Sequence, residues 1–345
     1  MNKDYLRLLK ADKSSWVDQH CSIPFQNIMI NARGDLYSCW CEAWLPHSIG
    51  NIMDVADHDD FMQLFNNNPV RDSILDRSHK FCRANICSNL QSKFNGGTPH
   101  EFVTKSKLLQ LPLSILRISM DSSCNLSCHS CRHEVIINHQ KPFVQKLQDM
   151  LDRIDSVFFN PRRVDNVFMD GIGEFLASKT LFNWMLSKSD SGIRFWLQTN
   201  GTLISQHRDK IAQILRSTDF INVSIDASYK ELFEHVRRGG NWNKLMEGLE
   251  LLNELRPTLG FRIRYNFTIG QNNYHDVPGF IEFTKRMQPD SVFYSKIERW
   301  GHLSDDQWKS VNVFSKDHPD NAKLVEILTS VEWPDNTQKN FEYKI

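Results

Sequence analysis

The sequence predicts an α/β chain: a partial (β/α)6 TIM-like barrel preceded by a small α+β domain that carries cysteines. Three observations predict it. From residue 113 a β-type run, a polar turn and an amphipathic stretch alternate several times, the pattern of βα units and a parallel sheet. The first 110 residues break that rhythm and hold Cys21, Cys39, Cys41, Cys82 and Cys87. Residues 88–111 contain a Gly-Gly and a Pro and lose periodicity, which marks a boundary. The expected domains are therefore 1–110, 111–301 for the barrel, and a C-terminal extension 302–345.

In chain order, the run QNIMINARGDLYSCWCEAW reads as a hairpin turning at Arg33-Gly34-Asp35, followed by a helix near 58–66 and a cysteine-bearing loop. The barrel strands are 113–120, 164–170, 193–199, 220–226, 261–269 and 291–298, each rich in β-branched or aromatic residues. Between them, 143–155, 175–187, 204–216, 242–255 and 277–287 place apolar residues three and four apart, which gives helices one buried face. Residues 302–345 predict little.

With 345 residues, 40% hydrophobic and 24% charged, the chain can bury one large core or two modest ones. Lys plus Arg number 41 and Asp plus Glu number 41, so no global field draws nucleic acid or an anionic membrane surface. No apolar run approaches the ~20 residues of a membrane span. A soluble, cytoplasmic protein without a secretory signal is expected, with cysteines spaced as ligands rather than as a disulfide scaffold.

Cys124-Asn-Leu-Ser-Cys128-His-Ser-Cys131 follows the first barrel strand and puts three soft ligands on one short loop. A four-iron cluster held by three cysteines keeps one iron open for substrate or cofactor, whereas an electron-transfer ferredoxin fills all four positions. A structural zinc site borrowing a distant ligand, or three buried thiols, are the alternatives.

These three positions match CxxxCxxC, and in this the chain resembles the radical SAM (S-adenosylmethionine) superfamily, from which it departs in having Ser130 where an aromatic residue is usual. Gly171-Ile172-Gly173-Glu174 resembles the family's Gly-Gly-Glu segment, with Ile172 replacing a glycine; the resemblance implies that Gly173 and Glu174 receive the amino group of SAM. Thr199-Asn200-Gly201-Thr202 and Ser224-Ile225-Asp226 end the next two strands, and by the same resemblance Asn200 and Ser224 contact SAM with Asp226 at the rim. Arg238 is matched to an arginine facing the SAM carboxylate, and Asn273 to an asparagine near adenine. Each motif stands at the carboxyl end of a strand, the rim where such barrels assemble active sites. Residue by residue the alternatives are ordinary: helix caps, turn asparagines and an exposed cationic edge at Arg237 and Arg238. His129, His133 and His139 receive no role, while Glu298, Arg299 and Trp300 border the barrel mouth.

The N-terminal part resembles a twitch or SPASM auxiliary-cluster domain, unusually placed before the barrel, including the stretch Ile49-Gly50-Asn51-Ile52. That resemblance implies a second, auxiliary 4Fe-4S cluster on Cys21, Cys39, Cys82 and Cys87. Zinc is the alternative metal, and Cys41 an alternative ligand, two residues from Cys39 on the same strand face.

What the resemblance implies is an enzyme in which SAM binds the open iron of a 4Fe-4S cluster and is split reductively to abstract a substrate hydrogen, with flavodoxin or ferredoxin as reductant. The leading substrate class is a peptide or protein. Dehydrogenation or epimerisation of a small molecule such as a sugar is the second reading, and a non-catalytic zinc or iron-sulfur binding module is the third. No nucleic-acid or membrane partner is expected.

Overall fold

The computed structural model describes residues 3–94, 99, 101–169, 172–299 and 303–341. The chain divides into two compact units, one formed by residues up to 121 with 139–171, the other by 122–138 with 172–345. The boundary expected near residue 110 falls inside the first unit.

The first unit contains β1 (His20–Cys21), β2 (Asn27–Asn31), β3 (Asp35–Tyr37), β4 (Gly50–Asn51), β5 (Phe102–Val103), β6 (Ile115–Ser119) and β7 (Asn166–Met169). The hairpin at Arg33-Gly34-Asp35 is β2 and β3, antiparallel, with Ile30 opposite Leu36. Gly34 sits at φ +91°, where a Cβ would come within 2.9 Å of Asn51 Oδ1, so the turn requires glycine. All five residues of β2 are buried. A strand covered on both faces belongs inside a sheet, and β2 pairs in parallel with β6 from Asn27↔Ile115 to Asn31↔Ser119. This is why the N-terminal segment does not stand apart: its hairpin extends the strand run β4-β3-β2-β6-β7.

Helix Lys141–Phe158 buries Leu147, Met150, Leu151, Ile154, Val157 and Phe158 along one stripe. Phe158 meets Phe61 edge-on at 4.8 Å on helix His58–Asn66, whose first turn is capped by the Asp57 carboxylate accepting the Asp60 N–H at 2.9 Å. A separate cluster gathers Trp16, Ala84, Cys87, Leu90 and Phe102, with Cys21, Trp44 and Cys82 packed against it. Antiparallel pairing of β1 with β5 sets Cys21 opposite Phe102 at its edge.

The second unit holds β8 (Arg194–Thr199), β9 (Thr218–Ser224), β10 (Arg262–Ile269), β11 (Ser291–Lys296) and β12 (Thr337–Lys339), all parallel and in that order. The parallel sheet is consistent with a partial barrel, and among the described residues no closed barrel forms. In β10, Ile263, Tyr265, Phe267 and Ile269 are buried, each contributing on the order of 2 kcal/mol; Arg264, Asn266 and Thr268 alternate with them on the other face. The C-terminal segment, from which no element was predicted, supplies helices Asp305–Val311 and Asn321–Ser330 and the strand β12. Its strand is only three residues long, too short for periodicity to reveal. Among the described residues no helix is long and apolar enough to cross a membrane.

Candidate active site

Residues 122–138 form an irregular loop whose backbone is stitched at several points, as a loop with little regular structure must be. Cys124 N–H donates to Ile136 O at 2.6 Å, and Cys131 N–H to Cys128 O at 3.0 Å. Asn138 N–H donates to Ser123 Oγ at 2.9 Å, and Glu174 N–H to Ser123 O at 2.7 Å. Two arginines clamp the outside. Arg132 donates to Ser122 O at 2.5 Å and also to Ile172 O. Arg238 donates to Ser127 O at 2.7 Å, Arg132 O at 2.9 Å and His133 O at 3.4 Å.

Arg238, expected to face a carboxylate, is therefore occupied in holding the cysteine loop. The arginine that enters the site is its neighbour. Arg237 pairs with Asp226 at 2.7 Å, with side chains 14% and 7% exposed, and donates from Nη1 to Cys128 Sγ at 3.7 Å. Its Nε is buried with no hydrogen-bond partner among the described residues. Two adjacent arginines after a helix gave no local sign of which would turn inward; only the helix end at Val236 and the chain's turn onto the loop separate them.

The three thiols differ in exposure: Cys128 is buried, Cys124 half-buried and Cys131 exposed. Burial pushes Cys124 up to about 11 against the pull of the Leu126 N–H, which reaches its sulfur at 3.4 Å. Cys128 is also raised by burial, with the Arg237 charge opposing. Cys124 feels Cys128, and Cys128 feels Cys131, so the three form one electrostatic group. Among the described residues no three thiol, imidazole or carboxylate groups converge as ligands around one ion. Thiolates that bind separate corners of one cubane stand further apart than thiolates that share an ion.

Glu174, 2% exposed, lies beside this loop. Its carboxylate accepts from Thr199 Oγ1 at 3.0 Å, Asn200 N at 2.6 Å and Leu176 N at 3.3 Å. Burial still dominates and lifts its pKa to about 7. Such a carboxylate gains most from a cation arriving beside it. Gly173 precedes it in a half-buried bend, while Gly171 and Trp300 lie outside the described residues.

Asn200 joins the end of β8 to the loop. Its Nδ2 donates to Asn125 Oδ1 at 2.9 Å and approaches Cys124 Sγ at 3.9 Å, while its Oδ1 accepts from Thr202 N at 3.0 Å and Thr202 Oγ1 at 2.6 Å. Asn125 closes the ring by donating to Thr202 Oγ1 at 3.0 Å. Asn125, Thr199, Thr202 and Arg237 are the participants that sequence reasoning left out.

Asp226 adopts φ +64° and accepts from Thr268 N at 2.7 Å; burial lifts its carboxyl and the Arg237 guanidinium opposes that lift. Ser224 ends β9, buried, two residues before it. Asn273 differs from expectation. Its Nδ2 donates to Asp226 O and Thr268 O, both at 3.0 Å, and its Oδ1 accepts from Gly270 N at 2.8 Å. With its amide committed to the backbone, Asn273 ties the β10 turn to Asp226 and has no free donor for a ligand.

In the first unit, Cys21, Cys39, Cys82 and Cys87 influence one another: Cys82 feels Cys87, Cys39 and Cys21, and Cys87 feels Cys39. Burial, with these neighbours, raises Cys21 and Cys82 well above the thiol range and Cys87 to about 12, and burial raises Cys39 to about 11. Cys41 acts on Cys39. Trp16 Nε1, Trp44 Nε1 and both ring nitrogens of His79 are buried there without hydrogen-bond partners among the described residues. All eight cysteines are free of disulfides.

Comparison with known proteins places these features. Residues 118–283 match the radical SAM superfamily profile. A GTP 3',8-cyclase of Rhizobium etli (strain CIAT 652) is 28% identical over 177 residues, covering 50% of this chain and 48% of the relative. One from Peptoclostridium acidaminophilum is 28% identical over 189 residues, covering 52% and 54%. The chain spans about half the length of these curated relatives. Among solved structures, Streptococcus suis SuiB bound to S-adenosylmethionine aligns with a TM-score of 0.40 and 17% identity over 76% of this chain and 57% of that one. The stretch that matches the radical SAM superfamily thus begins just before the cysteine loop and takes in Glu174, Asn200, Asp226 and Arg237.

Proposed function

We propose that this chain is a radical SAM enzyme in which Cys124, Cys128 and Cys131 hold a 4Fe-4S cluster and Glu174 receives the amino group of SAM. The observation that carries the reading is the seating of a three-thiol loop against strand ends that present Glu174, Asn200 and the Asp226–Arg237 pair. The donor set fits such a cluster. Three soft thiols lie on one loop, and Leu126 N–H, Asn200 Nδ2 and Arg237 Nη1 point at sulfur, which favours thiolate over thiol.

When bound, the cluster supplies the electron for reductive cleavage of the SAM carbon–sulfur bond. This chain's residues position and shield. Glu174 pairs with an ammonium and is held in place by Thr199 and the Asn200 N–H. Asp226 fixes Arg237, whose unpartnered Nε and positive charge suit it to the SAM carboxylate, the role the sequence had given to Arg238. Ser224 and Gly173 line the same rim.

The N-terminal thiols support a second cluster on Cys21, Cys39, Cys82 and Cys87. Four coupled thiols and three buried side chains with unpartnered nitrogens suit an anionic sulfur-rich group, whose sulfurs would accept from Trp16 and Trp44. This arrangement, resembling a twitch or SPASM domain, favours a peptide or protein substrate. The relatives named GTP 3',8-cyclase favour a small molecule as the second reading.

Anaerobic reconstitution, reduction and addition of SAM test the proposal. Wild type is expected to release 5′-deoxyadenosine and Cys128→Ala to release none. A loaded wild-type cluster without product refutes the enzyme in favour of a binding module. Iron and sulfide on a variant lacking the central triad test the second site, and zinc without iron there defeats the auxiliary cluster.

A further inference from the structure

The second unit has a cavity of about 380 Å³ whose lining includes Phe220, Arg262, Arg264, Ser291 and Thr337. These residues stand at or near the amino-terminal ends of β9 to β12, the opposite end of the strands from Asn200 and Asp226. Its central cation is Arg264. The guanidinium lies over the rings of Phe220 and Phe293, at 5.5 and 5.4 Å from the ring centroids, and donates from Nε to Asn222 Oδ1 at 2.6 Å.

Arginines 194, 208 and 256 of the same unit each meet a carboxylate, at 2.8, 2.8 and 3.1 Å. Arg264 does not: among the described residues no carboxylate lies within ion-pairing distance of it, and burial alone pulls its pKa down. Asp290 and Asp335 also line the cavity. The first is taken by the Ile263 N–H at 2.7 Å and Arg256 at 3.1 Å, and the second is exposed. Asn222 is fully buried, and among the described residues its Nδ2 has no hydrogen-bond partner, nor does the buried Thr337 hydroxyl. A desolvated cation and an orphaned amide donor, bonded to each other beside a cavity, leave hydrogen-bonding capacity that a folded chain ordinarily satisfies.

We propose that this cavity is an oxyanion-binding subsite in which Arg264, backed by Asn222, takes a carboxylate or phosphate group. Asn222 occupies Nε and the two phenyl rings take up neighbouring space, while the two Nη groups have no protein hydrogen-bond partner among the described residues; a guanidinium with its Nη groups free can pair bidentately with planar or tetrahedral oxyanions. Its role as the anchor for one end of the substrate rests on the radical-enzyme reading; the binding itself does not.

The test titrates the full-length, reconstituted chain calorimetrically at low ionic strength with phenyl phosphate, benzoate and uncharged benzyl alcohol. Saturable binding of at least one anion, and none of the alcohol, is expected, and the tighter anion identifies phosphate or carboxylate as the recognised group. Arg264→Gln is expected to weaken that binding at least tenfold. Asn222→Asp, which sets a carboxylate against the retained arginine, is expected to do the same with the circular dichroism unchanged, and it decides the matter if Arg264→Gln does not fold. No anion binding by wild type, equal binding of the alcohol, or full affinity in Asn222→Asp would overturn the subsite. Absence of 5′-deoxyadenosine from wild type would sink the radical chemistry and leave the anion result standing.

Discussion

Replacing Asp226 by Asn removes one charge from a pair that water barely reaches. The carboxylate and the Arg237 guanidinium are 2.7 Å apart, and their side chains keep 7% and 14% exposure. The asparagine oxygen can still accept from Thr268 N, which Asp226 Oδ1 does at 2.7 Å, so the change isolates the charge. Stranding one partner of a buried pair costs about 3–5 kcal/mol, against about 1 kcal/mol or less for a screened one. Cys128 Sγ, 3.7 Å from Arg237 Nη1, can offset part of this as a thiolate, so the low end, about 3 kcal/mol, is expected. Urea unfolding of the cluster-free chain, anaerobic and at pH 7, followed by tryptophan fluorescence and circular dichroism, measures the loss. Adding Arg237→Met removes the stranded cation and should restore stability to within about 1 kcal/mol of wild type. A loss below about 1 kcal/mol in the single variant, or no recovery in the double one, refutes a shielded, charge-paired Arg237.

Glu174 sets a pH dependence of opposite sign to that of an ordinary paired carboxylate. Its folded pKa, about 7, lies above the ordinary 4.5, so the native state holds the extra proton and stability falls as pH rises from about 4.5 to 7, by about 3 kcal/mol in all. Glu174→Gln should remove that slope, and equal slopes for the two proteins in urea titrations across the window would contradict the buried carboxyl. Gly201→Ala meets Leu245 Cδ1 at 2.7 Å and Val223 Cγ1 at 2.9 Å at a φ of +79°, and is expected to lose about 2 kcal/mol, read as a lower unfolding midpoint. In the first unit Cys39→Ser should lower bound iron while Cys41→Ser leaves it near wild type, because Cys39 acts on Cys21, Cys82 and Cys87; equal losses would make Cys41 a ligand.

Much of this protein was legible in the linear chain because the signals are local. Alternation of β-type runs and three-four apolar spacing located the barrel strands to within a few residues, and helix 277–287 came out at its exact observed limits, Val277–Met287. Glu174 and Asn200 were singled out because the segments around them resemble family motifs, and in the fold Asn200 follows β8 directly while Glu174 caps the short turn Phe175–Ala177. The set Cys21, Cys39, Cys82 and Cys87 came from the resemblance to an auxiliary-cluster domain, and their nearness to one another in the fold was not visible in the chain.

Tertiary structure alone decided the rest, because those outcomes depend on partners far away in the chain. Whether Arg237 or Arg238 turns inward is set by where residues 122–138 pass, more than a hundred positions earlier. Asn273 is saturated by Asp226 O and Thr268 O, acceptors that no turn motif announces. β2 joins the parallel sheet through β6, some 88 residues on, and β12 is stabilised as a strand by β11 rather than by its own three residues. Arg264 looks in the chain like one more strand cation; its isolation follows from Phe220, Asn222 and Phe293, which only parallel pairing brings to its side. Periodicity is a property of neighbours along the chain, whereas a site's charge balance is a sum over neighbours in space.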